Sequence, residues 1–309
     1  MNRPHRSIEI FTMSALDLFV TAMGSFAILM MILFPYFTGR KKTEELKVLN
    51  TPGNVLFCIW PTRLRDFEEF VKDVPDMKER GEEKRPNFFV DDNVWRTPGY
   101  EQSPEFPVVG VTWLQATAFC RWLTKKERAA GTIQPDSEYR LPTNEEWLAG
   151  AGPGTYPWGN AWPPPPDVAN FAGEEWAVAA FHPEVLKDPQ LDLKGYKDKH
   201  EMVAPVGSYP PNRFGLYDVA GNVRQWLRDP YRASMATPEQ IKAEPALSAE
   251  RSKDGLSYYL LRGSSWKDFE KRAVRSDSFQ LLYDSSHPDN GGFRIVLEIH
   301  AKPPAKPAP

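Results

Sequence analysis

The stretch PVVGVTWLQATAFCRWL, residues 107–123, carries the clearest local folding instruction in the chain. After the apolar run Val108-Val109-Gly110-Val111, Thr112 stands as a helix N-cap with Gln115 three residues on. At that spacing each side chain satisfies the other residue's backbone N–H. Leu114, Ala118 and Trp122 then share one helix face. The same signature recurs in YRLPTNEEWLAGAG, residues 139–152, where Thr143 and Glu146 make a second capping box and Trp147 is expected to pack inward.

Upstream, Val55-Leu56-Phe57-Cys58-Ile59 is a continuous apolar run that reads as a buried strand. Leu64, Phe67, Phe70 and Val71 recur at helical spacing and predict an amphipathic helix starting near Thr62. The charged stretch Lys78–Arg85 reads as a solvated loop. Beyond Gly150 the chain turns to Gly, Pro, Trp and Asn, including Tyr156-Pro157-Trp158-Gly159-Asn160 and four prolines at 163–166. Regular structure is expected to be sparse until Tyr258-Tyr259-Leu260-Leu261 and a final strand over Phe293–Ile299. The segment 300–309 is a proline-rich tail, expected to be extended.

Composition narrows the function classes. The chain has 309 residues with formal net charge -3 and no long basic stripe, so nucleic acid is excluded as an expected partner. Thirty prolines and ten tryptophans suit a loop-rich globular domain with aromatic packing. Two cysteines, Cys58 and Cys120, build neither a disulfide framework nor a four-cysteine zinc site, and both read as buried apolar residues.

The N-terminal region is of another kind. A short tail, residues 1–12, precedes MSALDLFVTAMGSFAILMMILFPYF at 13–37, which is 25 residues with one charge. About 20 residues cross the hydrocarbon core, so this segment is expected to span a membrane. It runs on to Arg40-Lys41-Lys42 without a signal-peptide cleavage pattern. A connector at 38–50 leads to the soluble domain at 51–299. The single charge, Asp17, lies on one face with Thr21, Gly24 and Ile28, which suits contact with another helix. Two readings stand for it: snorkelling to lipid headgroups, or relaying an ion. The second follows from a resemblance of this segment to the single-helix subunits of ion-driven stator complexes. That resemblance implies self-association, a channel-like partner and Asp17 as the ion carrier. Counting basic residues favours a cytoplasmic soluble domain, whereas the stator resemblance implies the opposite. The balance adopted is a single-pass cell-membrane protein with its soluble domain outside the cytoplasm.

Six runs, in order, carry a second resemblance: 107–123, 139–152, YPWGNAW at 156–162, APVGSYPPNRFGLYDVAGNVRQW at 204–226, LRGSSW at 261–266 and GGFRIV at 291–296. Together they resemble the formylglycine-generating enzyme, or sulfatase-modifying factor, family. The resemblance implies an α+β, loop-rich variant of the C-type-lectin fold with short antiparallel sheets. Active members are similar in holding copper(I) with two cysteines five residues apart, just after the GGS-aromatic run. Here Asp268 and Ala273 stand at those positions, and neither offers the soft thiolate that copper(I) requires. Copper is therefore not an expected cofactor, and no catalytic residue is assigned. Relatives that use a histidine-bound iron find no counterpart either, since His5, His182, His200, His287 and His300 include no i, i+4 pair. No phosphate-binding loop and no GxSxG elbow occurs.

The resemblance also implies structural calcium. One site would use Asn170, the Phe171 carbonyl, Asp198 and the His200 carbonyl. A weaker one would use carbonyls of Ala220, Gly221 and Val223 with Gln225, where the family pattern NVWEW has Glu. Trp266, Lys267, Asp268, Glu270, Lys271, Arg272, Arg275 and Asp277 would line the region where active members bind peptide. They read either as an ordinary charged rim or as a surface for a protein, peptide or glycan. The reading adopted is a membrane-anchored, non-catalytic binding module. An oxidoreductase that works without the paired cysteines is the alternative.

Overall fold

The computed structural model describes residues 46–48, 55–76, 94–175, 192–250 and 257–299. The expected spanning helix at 13–37, with Asp17 and Thr21, lies outside the described residues, as do Lys78–Arg85 and the 300–309 tail. Among the described residues no helix is long and apolar enough to cross a membrane.

The chain enters at β1 (Leu46–Val48), which pairs antiparallel with β2 (Val55–Cys58) in the register Leu46 to Cys58. A strand thus stands inside the stretch expected as a connector. Helix α1 (Leu64–Asp73) buries Leu64, Phe67 and Phe70, as its spacing predicts. Helix α2 (Trp113–Ala130) is capped as expected: the Gln115 N–H donates to Thr112 Oγ1 at 3.0 Å and the Thr112 N–H to Gln115 Oε1 at 2.8 Å. It stops at Gly131, whose left-handed φ of 69° suits glycine. Its buried stripe is centred on Ala116, Phe119, Cys120 and Leu123 rather than on Leu114, Ala118 and Trp122. Of the expected face only Ala118 is buried, because α1 packs Phe67 and Phe70 against Phe119 and rotates the contact line.

Strand β3 (Glu138–Arg140) leads into α3 (Asn144–Ala151), whose cap pairs Thr143 with Glu146. Arg140 then grips the Glu146 carboxylate with two hydrogen bonds, 2.7 and 2.8 Å. Trp147 is buried, as expected. The middle, where the sequence predicts sparse regular structure, contains a seven-residue strand, β4 (Arg224–Pro230), followed by α4 (Pro238–Ala243). Strand β4 shows no alternation because its first four residues are all buried. Next come β5 (Tyr258–Arg262), β6 (Phe279–Tyr283), β7 (Gly291–Phe293) and β8 (Val296–Glu298).

Two four-stranded sheets result, in the orders β1-β2-β8-β3 and β6-β5-β4-β7. The single expected strand over Phe293–Ile299 is therefore two, one in each sheet. Arg294 and Ile295 carry the chain between them. Arg294 is buried there because its guanidinium donates to the Cys58 and Tyr217 carbonyls and to Gln225 Oε1. The first sheet is antiparallel as expected; in the second, β4 and β7 run parallel. Mixed pairing arises because β7 returns to the sheet from a long loop rather than a hairpin.

Candidate functional site

The segments 170–175, 195–222 and 263–268 meet around a buried polar network. Gly221 has φ of +70°, and a Cβ there would lie 2.2 Å from the Asn170 carbonyl oxygen. Glycine is required by both facts. The next residue, Asn222, donates its backbone N–H to that carbonyl at 2.8 Å and its amide to the Ala204 carbonyl at 3.1 Å and Asp218 Oδ1 at 3.2 Å. Its amide oxygen accepts from the Ala204 N–H at 3.0 Å. Ser264 Oγ accepts from Gly221 N–H at 2.9 Å, and Trp266 N–H donates to the Asn222 carbonyl at 3.0 Å. These bonds hold the 263–268 turn against the 218–222 loop.

At the positions that would carry copper-binding thiols, Asp268 is fully engaged. Arg224 Nη2 donates to its Oδ1 at 2.7 Å, while the Ser265 N–H and Oγ donate to Oδ2 at 2.6 and 2.9 Å. Arg224 is itself fixed through Nη1 to the Gly263 carbonyl at 2.7 Å. Ala273 offers no donor atom. The two cysteines share one core cluster, Cys58 on β2 and Cys120 on α2, and burial pushes the Cys120 thiol far above its usual value. Residues 268 and 273 thus do not fit copper(I).

The expected recognition surface divides. Trp266 is 4% exposed, packs on Val109, Val203 and Val223, and meets Tyr100 edge to face at 5.6 Å. Trp266 is thus interior, which corrects its placement on the surface, while Asp268 is only partly buried and its carboxylate is held inward by Arg224 and Ser265. The remaining six form a rim of paired charges. Lys267 pairs with Asp289, and Glu270 with Arg272. Arg275 forks onto Asp277 at 2.7 and 2.9 Å and holds that carboxyl below its usual range. Lys271 lies with its ammonium 5.1 Å from the Trp162 ring centroid.

The residues of the first calcium set lie together, joined by backbone N–H groups, with the Phe171 carbonyl accepting the Gly173 N–H at 2.8 Å. Asp198 Oδ2 accepts from the Phe171 N–H at 3.0 Å, and Oδ1 accepts from the His200 N–H at 2.8 Å and the Tyr209 hydroxyl at 3.0 Å. Burial raises the Asp198 carboxyl above its usual value despite these donors. Asn170 is buried, its amide nitrogen donates to the Met202 carbonyl at 2.6 Å, and its Oδ1 has no hydrogen-bond partner. An orphaned buried oxygen among oxygen ligands fits a hard cation. Among the described residues no three His, Cys, Asp or Glu side chains cluster to hold a metal, so amide and carbonyl oxygens would complete this site.

The second calcium set does not fit. Gln225 is buried with both ends committed: Oε1 accepts from Trp147 Nε1 at 3.2 Å and Arg294 Nε at 3.1 Å, and Nε2 donates to the Asp218 carbonyl at 2.7 Å. A guanidinium already faces the oxygen that a metal would need. Sequence reading passed over Arg224, Arg294 and Tyr209. A signal existed for the first, since the family pattern NVWEW reads NVRQW here and the new cation at 224 answers the carboxylate at 268.

Residues 60–299 match the family described as Sulfatase-modifying factor enzyme 1-like domain. The chain is 30% identical over 248 residues to Inactive C-alpha-formylglycine-generating enzyme 2 of Bos taurus, covering 74% of this chain and 65% of that one. It is also 30% identical over 215 residues to Formylglycine-generating enzyme of Bos taurus, covering 66% and 48%. The chain thus spans between 48% and 65% of the length of these curated relatives. Among solved structures, PvdO from Pseudomonas aeruginosa is similar at TM-score 0.53 and 21% identity, over 81% of this chain and 83% of that one, a likeness of fold. A named enzyme and a named inactive protein match at the same identity, so kinship by itself does not choose between them. The chain belongs to the family of the sulfatase-modifying factor enzyme 1-like domain.

Proposed function

We propose that this chain is a membrane-anchored recognition module of its family that does not carry out copper-dependent formylglycine synthesis. One observation carries the reading: Asp268 is bound on both oxygens by Arg224 and Ser265, and Ala273 has no ligand atom. A carboxylate already neutralised by a guanidinium has no use for a soft cation, and a thiolate is absent from both positions. In this reading the 13–37 helix holds the domain at a lipid bilayer, with the domain outside the cytoplasm. Asp17 and Thr21 face other transmembrane subunits, a second copy and a channel-like partner, where Asp17 relays an ion. The rim of Lys267, Glu270, Lys271, Arg272, Arg275 and Asp277 meets a protein, peptide or glycan, and calcium serves a structural role.

The test is copper(I) titration of the full-length protein in detergent, run beside an oxidation assay on a cysteine peptide. The expected outcome is no stoichiometric copper and no turnover. Turnover on the peptide would replace the recognition module with an oxidoreductase that needs no paired thiols. Co-purification in detergent tests the membrane part: recovery as a lone monomer sinks the multi-subunit assembly. Asp17→Asn is expected to abolish ion movement by that assembly, and unchanged ion movement would leave Asp17 as a headgroup contact.

A further inference from the structure

The segments 170–175 and 195–200 face each other through an unusual surplus of oxygen acceptors. Glu175 folds back so that its Oε1 accepts from the Asp198 N–H at 3.1 Å, while its Oε2 is buried with no hydrogen-bond partner. Asn170 Oδ1 is the second buried orphan, one residue before the Phe171 N–H that Asp198 holds. Gly173 makes the fold-back possible. A Cβ on it would lie 2.5 Å from Glu175 Oε1 and 2.7 Å from the Tyr196 carbonyl oxygen. Any larger residue would push that carboxylate away.

The charges are as unbalanced as the hydrogen bonds. Lys197 pairs with Glu174 and Lys199 with Asp167, so the nearby ammonium groups serve other carboxylates. Among the described residues neither Glu175 nor Asp198 has a cation within ion-pair distance. A water could donate to the two orphans, but it would leave two neighbouring, partly buried negative charges uncompensated. A bound cation answers both. With carboxylate, amide and carbonyl oxygens and no nitrogen or sulfur, the chemistry is that of a hard divalent ion. A set with several neutral oxygens and variable directions suits calcium over magnesium, which demands tight octahedral order and keeps its waters.

We infer that Glu175 is an added carboxylate ligand in this chain, closing over the site of Asn170, Phe171, Asp198 and His200 and binding calcium with them. The inference rests on the calcium reading of those four residues and extends it to a residue that the family resemblance does not supply. The test uses full-length protein in detergent, stripped with EDTA, and isothermal titration with calcium chloride and with magnesium chloride. Thermal unfolding is followed with and without each ion. Wild type is expected to take up one calcium, with a raised unfolding midpoint that magnesium does not reproduce. Glu175→Gln should weaken calcium at least about tenfold, because ligand charge count sets affinity. Glu175→Asp, which keeps the charge on a shorter arm, should fall between, and it serves as the readout if Glu175→Gln does not fold. Glu174→Gln should bind as wild type does. Calcium affinity unchanged in both Glu175 variants would overturn the assignment of Glu175 alone. Absence of calcium binding by wild type would overturn the four-residue site with it.

Discussion

Around Phe67 the rings of Phe70, Trp95, Phe119 and Phe293 lie with centroids 5.2 to 6.3 Å away, mostly edge to face. Around Asn222 order comes instead from backbone and side-chain hydrogen bonds that reach Asn170, Ala204, Asp218 and Trp266. Both regions are buried, yet they are stabilised in different ways. Dispersion and burial are tolerant of direction, so the aromatic region holds the sheet and helices together whatever the loops do. Hydrogen bonds are directional, and leaving one partner unmade costs more than the bond contributes. The polar region is therefore where this chain could exchange one set of functional groups for another only in matched pairs, as with Arg224 and Asp268.

Variants can break this contrast at either end. The largest effect is expected for Phe67→Ala, about 3–5 kcal/mol of lost stability in chemical denaturation, because it empties the centre of four rings. Arg224→Ala comes next at about 3 kcal/mol, since it strands the Asp268 carboxylate in a site where its side chain is 15% exposed. Adding Asp268→Asn to Arg224→Ala should restore part of the loss, and a double-mutant cycle showing no coupling would deny that the two act as a pair.

Acid titration addresses the helix caps. Burial alone would raise the Glu146 carboxyl, but hydrogen bonds from Arg140 and Thr143 outweigh it and hold Glu146 below the ordinary glutamate value. A folded value lower than the unfolded one means that the contribution is complete above the ordinary glutamate range and is lost as pH falls through the depressed folded value. Stability measured from pH 6 downward should accordingly fall more steeply in wild type than in Glu146→Gln. Thr112→Ala, which removes one half of the α2 cap, should cost about 1 kcal/mol in denaturant unfolding. The smallest effect belongs to Arg272→Ala. Its side chain is 81% exposed, so its pair with Glu270 should be worth less than about 0.5 kcal/mol in the same assay.

Legibility followed the range over which each signal acts. Thr112 with Gln115 and Thr143 with Glu146 are three residues apart, so both caps were readable and both formed. The β2 run was readable because it is apolar throughout. Strand β4 was not: RQWLRDP carries three charges, and its buried start depends on Arg224 and Gln225 finding partners elsewhere. The candidate site divides the same way. Asp268 and Ala273 were identifiable by their place after the Ser264-Ser265-Trp266 run, whereas the commitment of Asp268 to Arg224 spans 44 positions.

By itself the sequence determined the family, the two capped helices, the buried β2 and the absence of thiols at 268 and 273. Local hydrogen bonding and apolar spacing suffice for the elements, and residue type suffices for the donors. Only the tertiary structure decided that the last strand splits at Arg294, whose guanidinium reaches the Cys58 carbonyl across 236 positions. It also decided that Trp266 is interior, that Asp268 is held by Arg224 and Ser265, that Gln225 is already bound to Arg294, and that Glu175 folds back onto the Asp198 N–H. A polar side chain can serve as ligand, strut or surface, and its role is set by which distant group meets its donors and acceptors once water has been excluded.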